Sequence, residues 1–172
     1  MKTPIGMLAT ALFIALLAGC GASVKAPRAP DGGPTKVQVL VDMGYTGKTP
    51  DEANQLKQVE DYLKPDLMNR LTDVGYSAEY IAAKEQFTPG PGKYLLVVTV
   101  LNYNPGSKAA RMLVGFGAGS AALDERFDLF ADGTTALLTQ DNGRASSKDW
   151  TDICRRTNKD MVVAITNKLN GQ

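Results

Sequence analysis

Apolar and polar positions along the chain follow two periods, and they lay out an alternation of strands and helices. From Lys36 to Met43, Val37, Val39 and Val41 alternate with Gln38, Leu40 and Asp42, the period-two pattern of a half-buried strand. A helix start follows, with Thr49 as N-cap, Pro50 at the first helical position and Glu52 closing a capping box. Leu56, Val59, Leu63, Leu67, Leu71 and Val74 then recur at steps of three and four, which gives that helix one apolar face. Pro65 falls inside the pattern and is expected to kink or split it, and Gly75 is the expected stop. Tyr76–Ala82 reads as a strand and Phe87–Lys93 as a loop. Tyr94–Leu101 is nearly continuous apolar and β-branched sequence, which predicts a central strand buried on both faces. The turn residues of Asn102–Ser107 break it.

After a glycine-rich stretch, Arg111–Gly119, the alternation returns over Ala121–Ala131. Ala121, Leu123, Phe127 and Leu129 share one face there, and Asp124, Arg126 and Asp128 the other. Asp132-Gly133 predicts a hairpin turn into Thr134–Gln140. A second amphipathic helix spans Asp149–Leu169, with Cys154, Thr157, Met161, Ile165 and Leu169 on one stripe. The order is β-α-β-β-β-β-α. It predicts an α+β domain, a mixed or antiparallel sheet of about five strands with two amphipathic helices packed against it.

The first residues carry a different pattern. Lys2 precedes an apolar run from Ile5 to Ala18, broken only by Gly6 and Thr10, and small residues close it, the layout of a secretory signal. A membrane-spanning helix needs about 20 apolar residues, and this run is shorter. Leu17-Ala18-Gly19-Cys20 resembles the bacterial lipobox, which implies cleavage before Cys20 and diacylation of its sulfur. A covalent lipid on Cys20 is then the only cofactor expected, and its acyl chains make the membrane a partner. The chain divides into a signal peptide (1–19), a lipidated cysteine with a flexible Pro- and Gly-rich tether (20–35) and a single α+β domain (36–172). In lipoproteins of diderm bacteria the residue after the lipidated cysteine helps to sort between membranes. Gly21, not Asp, implies the outer membrane, with the domain facing the periplasm.

Charge and composition narrow the function classes. Lys2 is the one charged residue of the signal, so 18 of the 19 basic side chains stay in the mature chain, against 18 acidic ones. A nucleic-acid partner would leave a basic excess or stripe, which this balance lacks. The chain has no histidine, which excludes Ser-His-Asp and Cys-His catalysis and speaks against ordinary zinc sites. With Cys20 acylated, Cys154 has no disulfide partner. It is either a reactive thiol or a buried small hydrophobe, and its place on the apolar stripe favours burial.

Three constellations invite chemistry. Arg111 and the glycines Gly115, Gly117 and Gly119 form the candidate interaction segment. A phosphate-cradling loop would want a helix N-terminus or a Lys-Ser/Thr after it, and neither follows. In 112–123 Ser120 is the only polar side chain, so the run suits a membrane-spanning strand, an oligomer-forming surface, or glycines at bulges in a buried sheet. Asp124, Glu125, Asp128 and Asp132 could offer oxygen ligands to calcium, but their spacing is not that of an EF-hand, and a solvated face paired with Arg126 is the better account. Ser146-Ser147-Lys148 resembles a Ser-Lys dyad less than a helix entry, with Trp150 packing that entry.

Asn102-Tyr103-Asn104-Pro105-Gly106, then Ala110–Ala121 with its Arg111-to-Gly119 block, then the strand ending at Asp132-Gly133, resemble an uncharacterised bacterial lipoprotein family, domain of unknown function 4410. The resemblance spans roughly residues 36–170, and Pro65 departs from it. It implies a lipobox and the same strand and helix order. At fold level the arrangement is similar to lipoproteins of curli secretion and of cell-wall synthase activation, which carries no function by itself. The reading that follows is a non-enzymatic binding or scaffolding module with an envelope protein partner and no metal. A second reading is an oligomeric component of a secretion or pore assembly that uses 112–123.

Overall fold

A computed structural model of the chain describes residues 24–106, 119–147 and 149–171. It has the expected order: β1 (Lys36–Asp42), α1 (Pro50–Val74), β2 (Ser77–Tyr80), β3 (Lys93–Asn104), β4 (Ala121–Phe130), β5 (Ala136–Ser146) and α2 (Trp150–Leu169). One mixed sheet runs β2-β1-β3-β4-β5. β1 is parallel to both β2 and β3, and β4 and β5 extend the sheet, each antiparallel to the strand before it.

Both helices cover the same face of this sheet. Leu67 and Leu71 of α1 and Met161, Val162 and Ile165 of α2 close over Val39, Leu96, Val98, Phe127 and Leu129. A second cluster joins Leu56, Val59 and Leu63 to Leu123, Ile153 and Cys154. The helices run in the same direction. Tyr62 meets Trp150 edge-on at 5.7 Å, Asn158 Nδ2 donates to the Leu63 carbonyl at 3.0 Å, and the Tyr76 hydroxyl lies 3.2 Å from that of Thr166.

The expected capping box of α1 is present, with Glu52 N–H donating to the Thr49 hydroxyl oxygen and the Glu52 carboxylate accepting from Thr49 N–H. Gly75 ends the helix at φ 107, a left-handed conformation that L side chains rarely adopt. Pro65 does not split α1, which is continuous from Pro50 to Val74. Its ring sits on the exposed side, where the carbonyl four residues back can turn to water.

Burial of β3 on both faces holds only at its start. Leu96, Val98 and Val100 point under the helices, whereas on the other face only Leu95 is buried and Leu101 is 51% exposed. Among the described residues no helix covers that outer face. The connection after β2 covers one end of it, placing the Lys84 ammonium 4.4 Å above the Phe130 ring and Phe87 beside Gly133.

The segment 24–35, expected as part of a tether, is fastened to the domain. Ala26 N–H donates to the Val74 carbonyl at 2.9 Å, Asn170 Nδ2 to the Lys25 carbonyl at 3.0 Å, and the Thr35 hydroxyl to the Pro27 carbonyl at 2.7 Å. Arg28 and Pro34 form a bridge.

Pro65→Ala restores the missing helical donor at an exposed site, offset by the greater freedom it gives the unfolded chain. It is expected to stabilise the domain by about 2 kcal/mol in urea unfolding. An unchanged or lower midpoint would show that Pro65 is matched to a local bend.

Candidate functional site

The residues singled out from the sequence divide between two places. Cys20 and the residues Leu17, Ala18 and Gly19 before it lie outside the described residues, as do Arg111, Gly115 and Gly117. Gly119 is described, and it forms one side of a neck. Gly106, at φ 73, follows β3, and Gly119, at φ 68, precedes β4. A Cβ on Gly106 would stand 2.4 Å from the Gly119 carbonyl oxygen and 2.7 Å from Ala121 N. Only glycine permits this approach. Asn104 Oδ1 accepts from Gly106 N–H at 2.8 Å and holds the turn. The neck therefore brings together the two points between which residues 107–118 leave and rejoin the sheet.

A polar cleft of about 260 Å³ lies at the same end, between the C-terminal ends of β1 and β3 and the start of α1. Gly44, Thr46, Lys48, Glu52 and Gln55 line one side, and Leu101, Asn102 and Tyr103 the other. Open sheets with parallel strands place ligands at such an end. Here the first turn of α1 is already occupied: the Glu52 carboxylate is held below its usual range by hydrogen bonds from Thr49 and is engaged in the capping box. Beside the cleft Tyr45 donates to Glu60 at 2.6 Å, and burial followed by that bond pushes its phenol far above the usual value. The cleft can hold a polar segment. Its one lining acid, Glu52, has the Lys48 charge near it and is already committed to the capping box.

The acidic group read from the sequence is dispersed. Asp124 accepts from Asn102 at 3.2 Å, Asp128 from the Thr139 hydroxyl at 2.5 Å, and Asp132 takes Thr135 and Thr134 N–H in the β4–β5 turn, which lowers its pKa to about 2. Arg126 makes its hydrogen-bonded ion pair with Asp141 across the β4–β5 ladder, at 2.6 Å, and from the acidic group only the Asp128 charge acts on it. Among the described residues no three metal-ligating side chains gather. Ser146 and Ser147 precede α2, and Asp149 is its N-cap, accepting from Asp152 N–H at 2.9 Å.

Glu125 is the residue that pattern reading passed over. It shares parity with Leu123 and Phe127, so β4 turns it under α2, where it is fully buried. Asn142 lies opposite it in the β4–β5 register and donates to the Thr157 carbonyl at 3.2 Å. The Thr157 hydroxyl donates to the Cys154 carbonyl at 3.1 Å, and among the described residues neither carboxyl oxygen of Glu125 meets a donor at hydrogen-bond geometry. Burial raises the Glu125 pKa to about 7, with the Thr157 hydroxyl opposing in part. Cys154 is buried beside it. Burial, then the Glu125 charge, push its thiol up to about 12. A thiol so protonated and enclosed is not a nucleophile, and Cys154 serves as a small core residue.

The family model described as a domain of unknown function, DUF4410, matches residues 22–168. The chain belongs to that family. No curated protein matches it in sequence. In fold, this DUF4410 member is similar to PelC from Paraburkholderia phytofirmans, solved as a dodecamer. A single-substitution variant of PelC aligns with a TM-score of 0.52 and 17% identity over 81% of this chain and 91% of that one. PelC in a second crystal form gives 0.51 and 15% over 83% and 93%. At such identities the likeness establishes the fold alone.

Buried Glu125 gives this DUF4410 domain a pH dependence. The folded state keeps its proton to about pH 7, whereas the unfolded chain loses it near 4.5, so its penalty is absent below 4.5, grows between the two values and is constant above. Glu125→Gln is expected to stabilise the domain by up to about 3 kcal/mol at pH 8 and to change little at pH 4.5, in urea unfolding at both values. Equal effects at the two pH values would mean that the carboxyl ionises freely in the fold.

Proposed function

We propose that this DUF4410 member is a lipid-anchored, non-enzymatic module of the bacterial cell envelope. Cys20 carries the lipid, the outer membrane holds it, and the domain faces the periplasm to bind or scaffold an envelope protein. The observation that carries this reading is Leu17-Ala18-Gly19-Cys20 closing a short apolar run four residues before the fastened segment begins at Val24. Among the described residues no helix is long and apolar enough to cross a membrane, so attachment falls to the acyl chains, more than one of which holds stably. The protonated, enclosed Cys154 and the engaged Glu52 support binding over catalysis.

A second reading makes the chain a subunit of a secretion or pore assembly. Two observations favour it: the fold is shared with a protein solved as a dodecamer, and the Gly106–Gly119 neck gathers both ends of the glycine-rich segment at one end of the sheet. Segment 112–123, with Arg111, Gly115, Gly117 and Gly119, would then form the contact between subunits.

Cys20→Ala is expected to yield a folded domain in the soluble fraction of the envelope, with the urea midpoint of the acylated chain. Its retention on membranes would contradict the lipid anchor. Light scattering on the same soluble domain separates the two readings. A monomer at high micromolar concentration contradicts assembly through 112–123, and a ring that Gly117→Val dissolves supports it.

A further inference from the structure

The fastened N-terminal segment fixes which part of the domain meets the membrane. Val24 lines a groove of about 210 Å³ between the C-terminal halves of α1 and α2, with Val74, Val162 and Val163 as the other apolar walls. Val163 is 39% exposed there, one of the few large apolar side chains the domain leaves open. The bonds from Ala26 to Val74 and from Asn170 to Lys25 hold the chain at this spot. Only Gly21, Ala22 and Ser23 stand between Cys20 and Val24. Fully extended, the four steps from residue 20 to residue 24 reach about 14 Å. A lead this short does not let the domain swing clear of its anchor.

The chemistry around the groove matches a phospholipid. Lys159 stands at its rim, and Lys25 and Arg28 line the adjoining cleft, so cations flank an apolar slot. Asp73 is the acidic side chain lining both, and the Arg70 guanidinium is held by Asp66 at 2.7 Å. We propose that this end of the helix layer rests on the bilayer that holds the anchor, with a phospholipid acyl chain in the Val24–Val163 groove and Lys25, Arg28 and Lys159 on anionic headgroups. The inference rests on acylation of Cys20. It turns the cleft and the Gly106–Gly119 neck away from the membrane: they lie at the opposite end of α1, whose 25 residues span roughly 37 Å.

The test uses the full acylated chain, purified from membranes into vesicles of phosphatidylethanolamine, phosphatidylglycerol and a shallow brominated phospholipid. A bimane probe is placed on Val163→Cys, and in a separate protein on Thr139→Cys, exposed on the uncovered sheet face. Cys154 is buried and does not compete for the label. Quenching at least threefold stronger at 163 than at 139 is expected, and the pair Lys25→Glu with Lys159→Glu should halve it. Equal quenching at the two positions overturns the orientation, and quenching indifferent to charge reversal overturns the headgroup contact. A chain that fails to float with the vesicles overturns the anchor itself, and this inference with it.

Discussion

Two parallel helices packed on a single face of a five-stranded sheet are the constraint on which the rest of this domain depends. Phe127, Leu129, Val98 and Val39 supply the sheet side of the seam, and Leu67, Leu71, Met161 and Ile165 the helix side. Because both helices lie on one face, every inward position of β4 must be accepted beneath α2, Glu125 included. Among the described residues, the connection after β2 covers one end of the other sheet face. The same arrangement brings the C-terminal halves of α1 and α2 side by side, where Val24 and the fastened segment close the end of the layer.

The polar groups under α2 show the cost of that constraint. Asn142 donates to the Thr157 carbonyl and the Thr157 hydroxyl to the Cys154 carbonyl, both on the helix backbone, while the Glu125 carboxyl is left to keep its proton. A carboxyl buried this deeply, helped only in part by the Thr157 hydroxyl, ionises at an energetic cost, so the stability of the sheet-to-α2 contact follows pH between the mildly acidic and neutral range. Cys154, beside it, is pressed further toward the protonated thiol. The cleft and the glycine neck lie apart from these groups, at one end of the sheet.

Most of the architecture was legible from periodicity. Capping by Thr49 and Glu52, the Gly75 stop and the order of elements needed only local rules, which the core then reinforces. Of the kink or split expected at Pro65, the split is absent, because its face of the helix is open to water. The expectation for Tyr94–Leu101 missed through tertiary context: among the described residues both faces are covered only where the connection after β2 lies over it. Glu125 could have been found by parity, since it stands two residues from both Leu123 and Phe127, but charge suggested solvent. The fastening of 24–35 had no periodic signal, since it rests on backbone bonds to Val74 and on Asn170, distant in sequence. The closeness of Gly106 to Gly119 likewise arises from β3–β4 pairing, not from a local motif.

In the proposed envelope module Cys20 is the point of attachment, and the short lead to Val24 links lipid to fold. Mass spectrometry of the N-terminal peptide from detergent-extracted protein tests this most directly. The expected peptide begins at Cys20 and carries a diacylglyceryl group. A peptide that begins upstream of Cys20, or an unmodified Cys20, would contradict it.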